Sequence, residues 1–174
     1  MQRYSPFQAA LHWASAALIL FSLVFGTLVL KFLPNDAHKI TPLRAHMIIG
    51  GLIGLIIIAR LILRFATRQP DRFKSGSAFL DASAPIVHGA LYLAIIGMVT
   101  SGIALAIFAG LPAIVFGGSG AALPQDFWQY PPRFVHALFS KILIVLVGLH
   151  VAAAVYHQFV RKDRLFQRMG FTRG

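Results

Sequence analysis

Six histidines stand within or at the edges of long apolar runs: His12, His46, His88, His136, His150 and His157. An ionisable side chain in hydrocarbon is costly and marks a functional position by default. Imidazole offers two chemistries there: ligation of a metal or haem iron through a neutral ring nitrogen, and proton carriage near neutral pH. The chain contains no cysteine. That excludes thiolate metal sites, iron–sulfur clusters and covalent haem attachment through C-x-x-C-H. Any haem must be held by axial ligands and packing alone.

Spacing sorts the histidines into levels. His136 and His150 are fourteen residues apart, about 21 Å along a helix and roughly 40° short of four turns, so they share one stripe. His157 follows seven residues later near the same stripe. His46 begins one apolar run and His136 another, which pairs them at one membrane level. His12 and His150 pair at the opposite level. Two ligands at each of two levels do not supply the clustered three or four that zinc prefers. They do supply two six-coordinate haem irons, an arrangement for electron transfer rather than gas binding. Small residues accompany the pairs: Gly50 lies one turn after His46, Gly26 comes fourteen residues after His12, and Gly148 precedes His150. Arg60, fourteen residues after His46, is expected to face the bundle at the His12 level and to meet haem propionates there.

The elements that position these residues are four predicted transmembrane helices, over residues 7–30, 43–65, 84–109 and 132–160. Each is long enough for roughly 30 Å of hydrocarbon. Pro85 is expected in the first turn of the third helix and Pro112 just beyond its end, both places where proline is tolerated. The first run is too long for a signal-peptide core and is expected to remain as a helix. The loop 111–131 is rich in Gly and Pro, with Trp128 and Tyr130 suited to the headgroup region. The fold class is all-α, an integral membrane four-helix bundle, read as a single membrane domain over residues 1–174.

Composition agrees with this class. Hydrophobic residues make up 57% of the 174 and charged residues 12%, about half the charged share of soluble domains. The net charge of +11 lies between apolar runs, not on a polar face with interleaved aromatics, so nucleic acid is not an expected partner. One side carries Arg3, Arg60, Arg64, Arg68, Arg72, Lys74, Arg161, Lys162, Arg164, Arg168 and Arg173; the other carries only Lys31, Lys39, Arg44, Arg133 and Lys141. The positive-inside rule then puts both termini in the cytoplasm and the His46–His136 level outside. Against Asp36 and Asp126, the outer five cations still leave a net +3.

Several segments resemble the bacterial cytochrome b561 family. They are Ala10-Leu11-His12-Trp13, Ala45-His46 with Gly50, Arg60 through Arg64, and above all Gly148-Leu149-His150-Val151-Ala152-Ala153-Ala154 with His157, Lys162-Asp163, Leu165 and Arg168-Met169. The likeness covers nearly the whole chain and is weak in loop 111–131. The resemblance implies an inner-membrane bundle with two haems b, and its motif histidines match His12, His46, His136 and His150. It also implies electron exchange between a small reductant or redox protein and the quinone pool. The leading expectation is a superoxide oxidase-like enzyme that takes electrons from superoxide outside and reduces ubiquinone. The alternative is a cytochrome b membrane subunit passing electrons between quinone and a partner dehydrogenase or hydrogenase. On the first reading Lys141 and Arg44 are expected to steer the superoxide anion to the outer haem. His88 and His157 are expected not to ligate iron but to lie near quinone, His88 at the start of the third helix.

Overall fold

In the computed structural model, the described residues are 3–71, 76–163 and 165–170; Arg72, Lys74, Arg164 and Arg173, counted above in the charge balance, lie outside them. Regular structure among the described residues is helical throughout. Helix α1 (Pro6–Phe25) opens on a capping box, in which the Ser5 hydroxyl accepts from the Gln8 backbone N–H and the Gln8 side chain accepts from the Ser5 backbone N–H. Pro6 sits at its first position, where a missing N–H costs nothing. The helix loosens into a π turn at Gly26–Leu30. After a short connection, a 3₁₀ turn at Ala37–Lys39, capped by Asp36, leads into α2 (Ile40–Ala66). Helix α3 (Ala78–Phe108) ends at Gly110, whose positive φ of 64° turns the chain into the short α4 (Leu111–Val115). Tyr130 and Pro131 start α5 (Pro131–Val155), which runs on through a π turn at Tyr156–Val160.

Among the described residues, four helical stretches are long and apolar enough to cross a membrane: Pro6–Leu30, Ala37–Ala66, Ala78–Phe108 and Pro131–Val160. The second begins six residues before the expected 43, and the third six before the expected 84. Hydropathy stops short because the first turns are polar, carrying Lys39 and Thr41 in one case and Asp81 and Ser83 in the other. Pro85 therefore lies inside α3 and not in its first turn. It removes one backbone hydrogen bond near the end of the span, which membrane helices tolerate. Pro112 does lie just past the end of α3, in the first turn of α4.

The four helices run up, down, up and down, with α3 and α5 in the most extensive contact. Leu23, Ile53, Ile57, Ala94, Ile95 and Leu143 meet at the centre. A second cluster of Ala106, Ala109, Leu111, Val115 and Leu123 forms a roof over one end. That is the upper end; the lower end carries the start of α1 and the described segment Leu165–Met169. Large apolar side chains such as Leu55, Ile86, Leu93 and Val145 point outward and are two-thirds exposed. Within water such an apolar belt would drive aggregation; in lipid it is the ordinary outer face of a bundle.

Candidate haem-binding site

At the upper end, the imidazoles of His46 on α2 and His136 on α5 face one another with ring centres 6.4 Å apart. His136 Nδ1 lies 3.1 Å from the Met98 carbonyl and 3.3 Å from Ser101 Oγ. The carbonyl can only accept, so Nδ1–H donates to it and Nε2 is left with its lone pair. Ser22 Oγ takes the equivalent place 3.3 Å from His46 Nδ1. Such partners fix the tautomer and orientation of a ligating imidazole. Glycines make room for both rings. A Cβ on Gly26 would stand 3.4 Å from His46 Cε1, and one on Gly102 would stand 3.1 Å from His136 Cε1. Gly50 and Gly51 leave open space beside them. The cavity around the pair encloses about 910 Å³ of non-atom space, its mouth included, with Met47, Val99, Leu111 and Leu143 in its otherwise apolar wall.

At the lower end, His12 on α1 and His150 on α5 repeat the spacing, with ring centres again 6.4 Å apart. The surroundings differ. Arg60 Nη2 lies 3.1 Å from His12 Nδ1, and Arg60 Nη1 donates to Ser15 Oγ, a side chain with no exposed surface. The same guanidinium stands 5.8 Å over the Tyr92 ring. His88 is the third imidazole here, 5.3 Å from His150. The sequence reading put it at the start of the third helix, which it is not. The early start of α3 puts ten residues before it, about 15 Å of helix. The signal available in the sequence was the Ser77 and Asp81 start, which the hydropathy boundary overrode.

The remaining candidates fall elsewhere. His157 Nδ1 lies 2.6 Å from Asp163 Oδ2, and Arg161 Nε approaches the same oxygen at 3.4 Å. Nearby, Trp13 donates to the Met169 carbonyl at 2.9 Å, fastening the C-terminal segment to α1. Arg44 Nε donates to the Val115 carbonyl at 2.8 Å, tying the roof helix to α2. Lys141 is exposed on the outward stripe of Phe134, Leu138 and Val145. Five residues from His136, it lies about 140° around the helix from it. The structure does not bring Lys141 to the upper pair. Lys39, counted above among the outer cations, is buried and bonded to the Leu33 carbonyl and Asn35 Oδ1. Gly148 is exposed and meets no neighbour.

Fold and site together describe a four-helix membrane cytochrome with non-covalently held haem. The comparisons agree: the chain belongs to the prokaryotic cytochrome b561 family, whose description matches residues 3–172. It is 27% identical to Cytochrome b562 of Cereibacter sphaeroides over 170 residues, 95% of this chain and 94% of that one. It is 28% identical to Cytochrome b561 homolog 2 of Escherichia coli K12, covering 97% and 91%. The protein named Probable superoxide oxidase CybB from Yersinia pestis is 24% identical, covering 97% and 96%. No solved structure gave a significant match. Membership implies membrane electron transfer with haem b.

The upper residues fit that group as they stand; at the lower pair Arg60 donates to His12 Nδ1, so the guanidinium must give up that contact before His12 Nε2 can offer its lone pair. Iron–nitrogen bonds of about 2.0 Å, with each ring centre about 1.2 Å behind its donor atom, separate the ring centres of a bis-imidazole haem by roughly 6.4 Å. Both pairs stand at 6.4 Å. His88 and His150, at 5.3 Å, are too close for iron to lie in line between them.

Proposed function

We propose that this chain is a di-haem transmembrane electron-transfer enzyme that oxidises superoxide at its upper, outward face and reduces ubiquinone. Its site is the bacterial inner membrane, with both termini in the cytoplasm. The observation that carries the reading is the matched 6.4 Å spacing of two histidine pairs at opposite ends of one bundle. His46 and His136 hold one haem b, and His12 and His150 the other. Haem b supplies one-electron exchange when bound. The reaction balances as two superoxide anions, one ubiquinone and two protons giving two dioxygen molecules and one ubiquinol.

The chain's own residues do the rest. Glycines and apolar side chains at the upper pair exclude water. The upper loops and first turns carry cations in excess of Asp36 and Asp126, a field that attracts a small anion. Arg44 contributes locally and Lys141 at longer range from its outward stripe. His157, with Asp163 Oδ2 against its Nδ1, supplies an imidazole for proton exchange with quinone at the lower end. The relative named Probable superoxide oxidase supports the choice of reductant.

The test is purification in detergent without oxygen, pyridine haemochrome quantification, and stopped-flow mixing with superoxide in the presence of ubiquinone. Two haems per chain and rapid haem reduction by superoxide are expected. One haem in saturated protein overturns the two-site reading. Haem that superoxide leaves oxidised overturns the choice of reductant in favour of a membrane subunit served by a dehydrogenase or hydrogenase. His157→Ala is expected to slow quinone reduction with both haems retained; a wild-type rate removes His157 from the scheme.

A further inference from the structure

The two histidine pairs match in spacing but not in charge. The cavity at the upper pair has only neutral side chains in its wall, and its ligand N–H on His136 points at a carbonyl oxygen. An acceptor at that position makes the imidazole a stronger electron donor and stabilises oxidised iron. The nearest upper cations keep their charge but are bound to neutral groups away from the two rings, Arg44 on the Val115 carbonyl, Lys39 on Leu33 and Asn35, and Arg133 on Trp128, and among the described residues none is hydrogen-bonded to His46 or His136. The lower pair has a guanidinium in direct contact with His12. Arg60 belongs to neither ion pair of the described residues, His157–Asp163 and Arg161–Asp163. Its charge is therefore not cancelled by a carboxylate of the bundle. Ser15 and the Tyr92 face hold the guanidinium at this level whichever nitrogen of His12 carries a proton.

We infer that Arg60 sets the lower haem at a higher reduction potential than the upper one, so that electrons run downhill from the roofed end to the lower end. Reduction adds a negative charge at iron. A fixed cation within a low-dielectric bundle favours that change far more than it would in water. The upper site offers the opposite lever. The histidine spacing makes a wire, and the arginine gives it direction. This rests on the two-haem reading above but is separable from it.

The experiment is a spectroelectrochemical titration of the purified haem-loaded protein, followed at the alpha band. His46→Ala protein, which keeps the lower site, and His12→Ala protein, which keeps the upper, assign the two waves. The lower wave is expected at the higher potential. Arg60→Gln should make reduction of the lower haem at least roughly tenfold less favourable, about 59 mV for a one-electron couple, and leave the upper wave in place. Arg60→Lys, which keeps a cation, should retain most of the separation. A purely structural arginine would not distinguish Lys from Gln in this way. A lower wave at or below the upper in the single-site proteins overturns the inference, as does a lower wave unmoved by Arg60→Gln. Should Arg60→Gln shed the lower haem, the order in the single-site proteins and the Arg60→Lys titration still decide. Protein that carries no haem at all overturns the proposed function instead.

Discussion

The upper and lower ends of this bundle solve one problem by different means. At the upper end space is carved by absence of side chain: Gly26 and Gly102 back the two imidazoles, and Gly50 and Gly51 open the volume beside them. A roof of apolar residues covers it. At the lower end the surroundings are polar, with Arg60, Ser15, Tyr92 and a third imidazole within one cluster. The first is specified by shape and the second by charge and hydrogen bonding. The two ends should therefore fail under different substitutions, although both lie on one stripe of α5.

The largest separation comes from the ligands. His136→Ala is expected to lower haem from two per chain to one and leave the lower haem spectrum intact. His150→Ala should do the converse. Loss of both haems from either would mean that the ends are not independent. Next, Gly102→Val puts methyl groups where the His136 ring stands, with the Cβ already 3.1 Å from it. More than half of the upper haem should be lost while the lower persists; Gly148→Ala, in open space, should do nothing to either. Full haem content in Gly102→Val would show that the upper site is not shape-limited.

A smaller effect is expected from the upper cations. Arg44→Met removes a charged hydrogen bond to the Val115 carbonyl, a loss of about 2 kcal/mol in stability. It should also slow the second-order reaction with superoxide by roughly threefold at low salt. Lys141→Gln, distant from the pair, should slow the reaction less and leave thermal stability unchanged. Raising ionic strength should shrink both kinetic effects. A rate indifferent to salt and to both substitutions would shift preference to a docked protein donor or a quinol. The smallest effect belongs to His88→Gln, expected to keep both haems, because 5.3 Å from His150 is too short for a shared iron. Loss of the lower haem in that variant would make His88 a ligand and displace His12.

Much of this was readable in advance. Four apolar runs mark four helices because hydrocarbon demands length and apolarity together. The fourteen-residue steps from His136 to His150 and from His46 to Arg60 are helical arithmetic, and Arg60 lies at the His12 level as the step requires. What escaped reading was set outside hydrocarbon or by local turns. The polar start of α3 hid six residues of helix and so misplaced His88. The π turns at Gly26–Leu30 and Tyr156–Val160 leave no mark in periodicity. Lys39 and Arg44 read only as cations of the outer side, whereas the first is fastened to the Leu33 carbonyl and the second to Val115 of the roof helix. Partners distant in sequence, such as Met98 for His136 and Ser22 for His46, become visible only when helices are packed.

The tie between Arg44 and Val115 has a consequence for how long anything stays in the upper cavity. Leu111 of the roof helix lines that cavity, and the Arg44 guanidinium binds the same helix at its other end. The short helix forms one wall of the space that a molecule between His46 and His136 would occupy. The residence time of that molecule is then expected to depend on rupture of the ligand bonds and on how firmly this wall is held. Weakening the arginine tie should shorten residence while the equilibrium spectrum of the bound state stays the same.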